Sequence, residues 1–141
     1  NNKMIFLNKI KKYDFDLSTN ANGGAVVTVT SATNNGLVGT STNITPVTDG
    51  NTIATNSGKY GFNVSASDKV AGGTIVTNAS CNAASPTWYC GPTTGAKQIF
   101  NTSSSPIDTA RVRMDLAAAA TYINLPGSYT DTLTFVATAA F

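Results

Sequence analysis

Arg111-Val112-Arg113-Met114-Asp115-Leu116-Ala117-Ala118-Ala119-Ala120 decides the fold class. Its alanines favour a helix by intrinsic propensity. Its pattern favours a strand, because Val112, Met114, Leu116 and Ala118 alternate with Arg111, Arg113, Asp115 and Ala117. A period of two puts the large apolar side chains on one face of a pleat, whereas a helical period would scatter them. In so short a run the period outranks the propensity, and the stretch is read as a strand.

The rest of the chain agrees. Tyr60, Phe62, Val64 and Ala66 alternate with Gly61, Asn63 and Ser65, Tyr13, Phe15 and Leu17 with Asp14, Asp16 and Ser18, and Val27 and Val29 with Thr28 and Thr30. Residues 20–24, Asn34-Asn35-Gly36, Asp49-Gly50 and Pro126-Gly127 supply turns. A short strand is expected around Ile53, and Pro46, between Ile44 and Val47, argues against a central strand there. The final stretch is expected to be the longest strand, with Leu133, Phe135, Ala137, Ala139 and Phe141 on one face. Ending on an aromatic, it is expected to be buried as a central or interface strand. Eight to ten short strands between turns predict an all-β fold, an immunoglobulin-like or Greek-key β-sandwich with an extended N-terminal segment.

Composition narrows the function. Of 141 residues, 41% are hydrophobic and only 11% charged, against a usual share of about 25%. No apolar run approaches the roughly 18–20 residues of a spanning helix. Thr, Asn and Ser supply the polarity, as suits strands with one wet face and the turns between them. The net charge is +2, with no His and no Glu. Lys3, Lys9, Lys11 and Lys12 cluster at the start, and no basic face with interleaved aromatics marks a nucleic-acid site. Met4-Ile5-Phe6-Leu7 is too short an apolar run for a signal peptide, so an exported protein would already have lost its signal. The composition changes at residue 12 or 13, dividing a segment 1–12 from a single sandwich domain over 13–141.

Cys81 and Cys90 flank a loop containing Pro86, Trp88 and Tyr89. Two cysteines without histidine cannot complete a zinc shell. A disulfide is expected, which implies an oxidising compartment. Trp88 and Tyr89 on this loop are a candidate ligand platform for surface glycans, or else a hydrophobic plug beneath the loop.

The sequence offers no enzyme. Nucleophilic triads need a base, usually His, and the seven Asp residues form no motif for glycosidase chemistry. No phosphate loop, zinc spacing or EF-hand is present, and no cofactor is implied. Asp14 with Asp16, and Asp49-Gly50-Asn51, offer oxygen for calcium, but solvated strand and turn residues are the simpler explanation, so no metal is assigned. Asn43, Asn63, Asn78 and Asn101 head Asn-x-Ser/Thr sequons, about as many as chance gives; Asn78 and Asn101 look most loop-like and are the glycosylation candidates. Nothing in the sequence points to an acid beside a Lys–Asn pair, as an internal isopeptide bond would need.

The ends suggest assembly. Residues 3–10 form an apolar, extended stretch in which Ile5 and Leu7 share one face and Met4 and Phe6 the other. Met4, Ile5, Phe6, Leu7 and Ile10 are candidates for a strand that docks into a neighbouring subunit. Leu133, Phe135, Ala137 and Phe141 are the candidate receiving groove, in the manner of donor-strand complementation.

Phe15-Asp16-Leu17-Ser18-Thr19-Asn20-Ala21-Asn22-Gly23-Gly24, Gly58-Lys59-Tyr60-Gly61-Phe62-Asn63-Val64 and Leu125-Pro126-Gly127-Ser128-Tyr129-Thr130-Asp131-Thr132-Leu133-Thr134-Phe135 carry a resemblance. Together they look like Thr/Asn-rich secreted surface β-sandwich proteins of candidate-phylum bacteria, and the closing strand resembles fimbrial and spore-coat-U-like fibre subunits. The resemblance implies an immunoglobulin-like sandwich and an extracellular structural role, and it carries over no catalytic residue. The expected function is a homopolymeric structural subunit of an extracellular filament, pilus or surface layer, assembling by strand addition. The alternative is a monomeric surface adhesin or carbohydrate-binding module that uses the aromatic loop.

Overall fold

The computed structural model describes residues 7–84 and 87–141, with the backbone alone for residues 7–9. Its strands are β1 (Leu7–Thr19), β2 (Ala25–Ser31), β3 (Leu37–Val38), β4 (Asn43–Pro46), β5 (Lys59–Asp68), β6 (Ala71–Gly72), β7 (Val76–Thr77), β8 (Lys97–Asn101), β9 (Ile107–Ala119) and β10 (Leu133–Ala139). The one helical element among the described residues is a 3-10 turn, Ala79–Cys81. The protein is an all-β sandwich. One sheet has the order β1-β9-β5-β4-β3, with β6 beside the start of β9; the other has the order β10-β2-β8-β7.

The stretch that decides the fold is the hub of the larger sheet. β9 pairs antiparallel with β1 along one side and with β5 along the other. Val112, Met114 and Leu116 point into the main core with Phe62, Val64, Val29 and Phe100, while Arg111 and Arg113 lie exposed on the outer face. The alternation stops at Ala117 because both faces are covered from there on. Ala117 and Ala119 pack under Val47, Ile53 and Tyr89 in a second, smaller cluster. Four small residues fit where a sheet is packed on both sides; the alanine run marks that double burial and not a helix.

Ile53 is therefore buried without being in a strand. It belongs to a segment laid over the outer face of the sheet, tied by a single bridge between Asn51 and Tyr89. That segment comes so close that a Cβ on Gly61 would stand 2.6 Å from Val47 Cγ1. β4 does lie inside the sheet, and Pro46 is tolerated as its last residue, with Val47 N–H donating onward to the Tyr60 carbonyl at 2.8 Å. The turn over residues 20–24 ends on Gly24, at φ +72°, where a Cβ would meet the hydroxyl of buried Thr102 at 2.3 Å.

Two expectations about the ends change. The composition break at residue 12 or 13 falls inside β1, which runs unbroken from Leu7. Leu7 pairs with Ala119 and Lys12 with Asp115, so this part of the opening lies in the chain's own sheet. The final strand, at 7 residues, is shorter than the 13 of β1 and of β9, and among the described strands it lies at the edge of its sheet and not at the centre. Both of its faces are exposed from Val136 on, and Phe141 is 94% exposed.

Phe62 is fully buried in the main core, paired with Leu116 of the hub strand. Phe62→Ala is expected to lower the unfolding free energy by about 3–5 kcal/mol, read as a fall in the urea midpoint. Thr134→Ala, on the exposed face of β10, is expected to shift stability by no more than about 0.5 kcal/mol.

Candidate functional site

The two long strands that end a sheet, β1 and β10, face each other across the sandwich. Tyr13 and Phe15 of β1 both meet the ring of Phe135, at centroid distances of 5.0 and 5.2 Å. Offset and edge-on aromatic pairs of this kind add to the gain from burial alone. The start of β10 is pinned a second way. The Tyr60 hydroxyl donates to Asp131 Oδ2 at 2.5 Å, and the Ser31 hydroxyl donates to Asp131 Oδ1 at 2.6 Å. Burial, then the hydrogen bond to Asp131, pushes the Tyr60 phenol far up, so it stays a donor. Sequence reasoning missed Asp131. A lone acid just ahead of an uncharged strand was its only signal.

The outward sides of the two edges differ. β1 carries Lys12, Asp14 and Asp16 on its outer face, and Lys11, also exposed, on the face of Tyr13. Asp14 lies 3.2 Å from Arg113 and Asp16 3.7 Å from Arg111, and Lys11 sits 5.6 Å from the centre of the Tyr13 ring. Exposed pairs of this kind add little stability. Their use at an edge is to deter pairing, as does the bulge at exposed Ile10, where the register slips between Lys9 and Lys11. β10 has none of these guards. Leu133-Thr134-Phe135-Val136-Ala137-Thr138-Ala139 holds no charge, no proline and no bulge, and its pairing with β2 is regular throughout. No described strand pairs with its other side.

The predicted docking residues fall in different places. Met4, Ile5 and Phe6 lie outside the described residues, while Leu7 and Ile10 belong to β1. The receiving set divides: Leu133 and Phe135 pack inward against the core, whereas Ala137 and Phe141 are exposed.

Cys81 and Cys90 are joined and fully buried, with Cα atoms 5.2 Å apart. The bridge holds the second cysteine against β5, where the Cys90 and Phe62 backbones exchange hydrogen bonds of 2.9 Å. The aromatic pair on this loop is split. Trp88 is 40% exposed, but Tyr89 is 3% exposed and plugs the smaller core. A two-ring platform is therefore not formed. Tyr89 lines a cavity of about 350 Å3 with Thr52, Asn63 and Asp115. Its phenol is pushed up by burial and by the charge of Asp115, against a lowering hydrogen bond from Asn63.

The remaining polar candidates have local partners. Asp49 accepts from Lys97 at 2.6 Å and from Gly91 N–H at 3.1 Å, and no cluster of three or more metal-ligating residues occurs among the described residues. The Asn78 side chain accepts from Ser80 N–H and donates to the Gln98 carbonyl at 2.8 Å. The Asn101 side chain accepts from Ser103 N–H at 2.8 Å and donates to Gln98 at 3.3 Å. Asn63 is buried, and Asn43 is exposed. The register does set an acid between a lysine and an amide, Lys12, Asp115 and Asn63 in one row. Lys12 is exposed, however, and an isopeptide bond calls for an acid buried next to its pair.

No helix among the described residues is long and apolar enough to cross a membrane. No protein family, curated protein or solved structure matches the chain.

The disulfide closes a short loop, and in the chain-entropy picture it contributes about 2.5–3 kcal/mol. Cys81→Ala with Cys90→Ala is expected to lose that amount in urea denaturation. The loss should be matched by the wild-type protein under reducing conditions.

Proposed function

We propose that the protein is a structural subunit of an extracellular filament, pilus or surface layer, without catalytic activity, and that its copies join by strand addition on β10. The observation that carries this is the contrast between its two long edges. An uncharged, regular edge strand exposes a row of unpaired backbone donors and acceptors and invites another strand. Addition of a strand supplies main-chain hydrogen bonds along its length, with side-chain contacts for specificity. β1 is guarded by lysines, aspartates and a bulge, and β10 is left bare. Selective protection of one edge suits a molecule that pairs in one way only.

The donor is the apolar run Met4-Ile5-Phe6 of a neighbouring copy, just ahead of the part of β1 held by that copy's own β9. The buried disulfide suits an oxidising compartment outside the cell. A net charge of +2 over 141 residues suits close packing of many copies, since like charge repels.

The second reading, a monomeric adhesin or glycan-binding module, rests on the exposed Trp88. A single aromatic face gives a sugar ring a stacking surface. Loss of glycan binding in a folded Trp88→Ala variant, together with dispersed wild-type monomers, would favour it.

The strand-addition proposal is tested with Thr134→Lys/Thr138→Lys, which place charge on the exposed edge, and with Ile5→Pro, which removes a backbone donor from the adding strand. Both variants are expected to keep the wild-type circular dichroism spectrum and to lose edge-to-edge association, seen in electron micrographs as loss of the filaments or sheets that the native protein yields. Wild-type levels of polymer from the double-lysine variant would contradict the proposal.

A further inference from the structure

β9 ends in an exposed apolar knob and begins beside an apolar hollow. Past its last residue, Ala119, the chain presents Tyr122, Ile123 and Leu125, exposed by 75%, 61% and 55%. Three large apolar side chains on one short loop are unusual on the surface of an isolated protein. The loop is also held in shape. Asn124, buried between them, accepts from Thr121 N–H at 2.6 Å and donates to the Thr42 hydroxyl at 3.2 Å. Asn56 accepts from Tyr122 N–H at 3.2 Å. Such anchoring keeps the apolar side chains outside, where a slack loop would fold them in.

At the other end of β9, Ala71, Pro106, Ile107 and Asp108 line a broad hollow of about 670 Å3, with Phe141 on its rim. The lining is mostly apolar. A β9 of 13 residues sets the knob and the hollow about 40 Å apart, at opposite poles of the sandwich. Each pole also carries a charged side chain, and at the hollow a cation stands beside the acid, with Lys69 donating to the Gly72 carbonyl at 2.6 Å. Lys59, paired with Ala119 beside the knob, donates to the Thr45 hydroxyl and has no acid within ion-pair distance among the described residues. Asp108 in the hollow is met by the hydroxyls of Thr109 and Ser18 and by no described base. Thr109 turns the chain there at φ +51°, a strained setting for a β-branched residue, which bulges β9 and sets Asp108 at the rim.

We infer that the knob of one copy seats in the hollow of the next, with Lys59 facing Asp108, so that the subunits stack head to tail along their strands. The two surfaces are different patches at opposite poles, so the contact is heterologous and leaves a free knob and a free hollow after every addition. Such contacts build open-ended polymers. Strand addition on β10 joins copies edge to edge; the polar contact joins them in the other direction. This inference rests on the reading of the chain as a repeating subunit, but not on strand addition.

The test uses native-length protein and second copies of itself. Lys59→Asp and Asp108→Lys, each alone, are expected to raise the concentration needed for half-maximal assembly by roughly tenfold or more. The two variants mixed, or combined in one chain, are expected to recover. Ile123→Cys/Ala71→Cys, mildly oxidised, is expected to give a ladder of covalent multimers on a non-reducing gel, and either single cysteine none. Dimers from Ile123→Cys alone would mean knob-to-knob pairing and overturn the inference. So would wild-type assembly by both charge variants together with no ladder. A wild-type protein that stays monomeric at high concentration would instead sink the subunit reading itself.

Discussion

The pairing of β9 with both β1 and β5 is the constraint on which the molecule depends. One strand of 13 residues provides the ladder for the two longest neighbours of its sheet, the floor of the main core and the roof of the smaller one. Its core face is filled by Val112, Met114 and Leu116. Its other face changes character along its length, from exposed arginines to buried alanines. That change is what lets residues 47–53 and the disulfide loop lie on the sheet. It also fixes the poles, since the hollow opens at the start of β9 and the knob follows its end.

Given that hub, the sandwich has two long outer edges, and the sequence treats them differently. A bare edge is an aggregation hazard that natural sheets blunt with charge, bulges or proline. β1 uses the first two devices. Its lysines and aspartates cost little stability, because exposed charges interact weakly through water. β10 uses none, although Thr134, Val136 and Thr138 are exposed and free of packing demands that would forbid a lysine. Meanwhile Phe135, Asp131 and Ser31 hold the strand firmly to the sandwich. In the proposed function, this edge, anchored on its inner side and unguarded on its outer side, is the one that an incoming strand would pair with.

Much of the fold was legible in the sequence, because period-two alternation is a direct imprint of burial on one face. Tyr60, Phe62 and Val64, Val27 and Val29, and Val112, Met114 and Leu116 all face the core as their spacing implies. The disulfide was legible from two cysteines and a loop. The failures in the fold share an origin: alternation marks which side chains share a face, not how deeply that face is buried or where the strand sits in its sheet. Leu133 to Ala139 alternate well, yet alternation cannot distinguish a central strand from an edge. Ile53 is buried with no ladder, and the opening residues are apolar whether they serve their own sheet or another. At the candidate sites, Trp88 and Tyr89 are neighbours in sequence but point to different surroundings, which adjacency alone could not reveal. Asp131 and Asn124 depend on contacts between distant parts of the chain and left almost no local mark.

Amide hydrogen–deuterium exchange over residues 133–139, compared between dispersed and assembled protein, bears on the bare edge itself. If β10 receives a strand, the amides that point away from β2 exchange quickly in the monomer and become protected in the polymer, while the amides in the middle of β9, residues 112–116, are unchanged. Equal exchange of the β10 amides in both states, in a preparation that has visibly assembled, would mean that the subunits meet elsewhere.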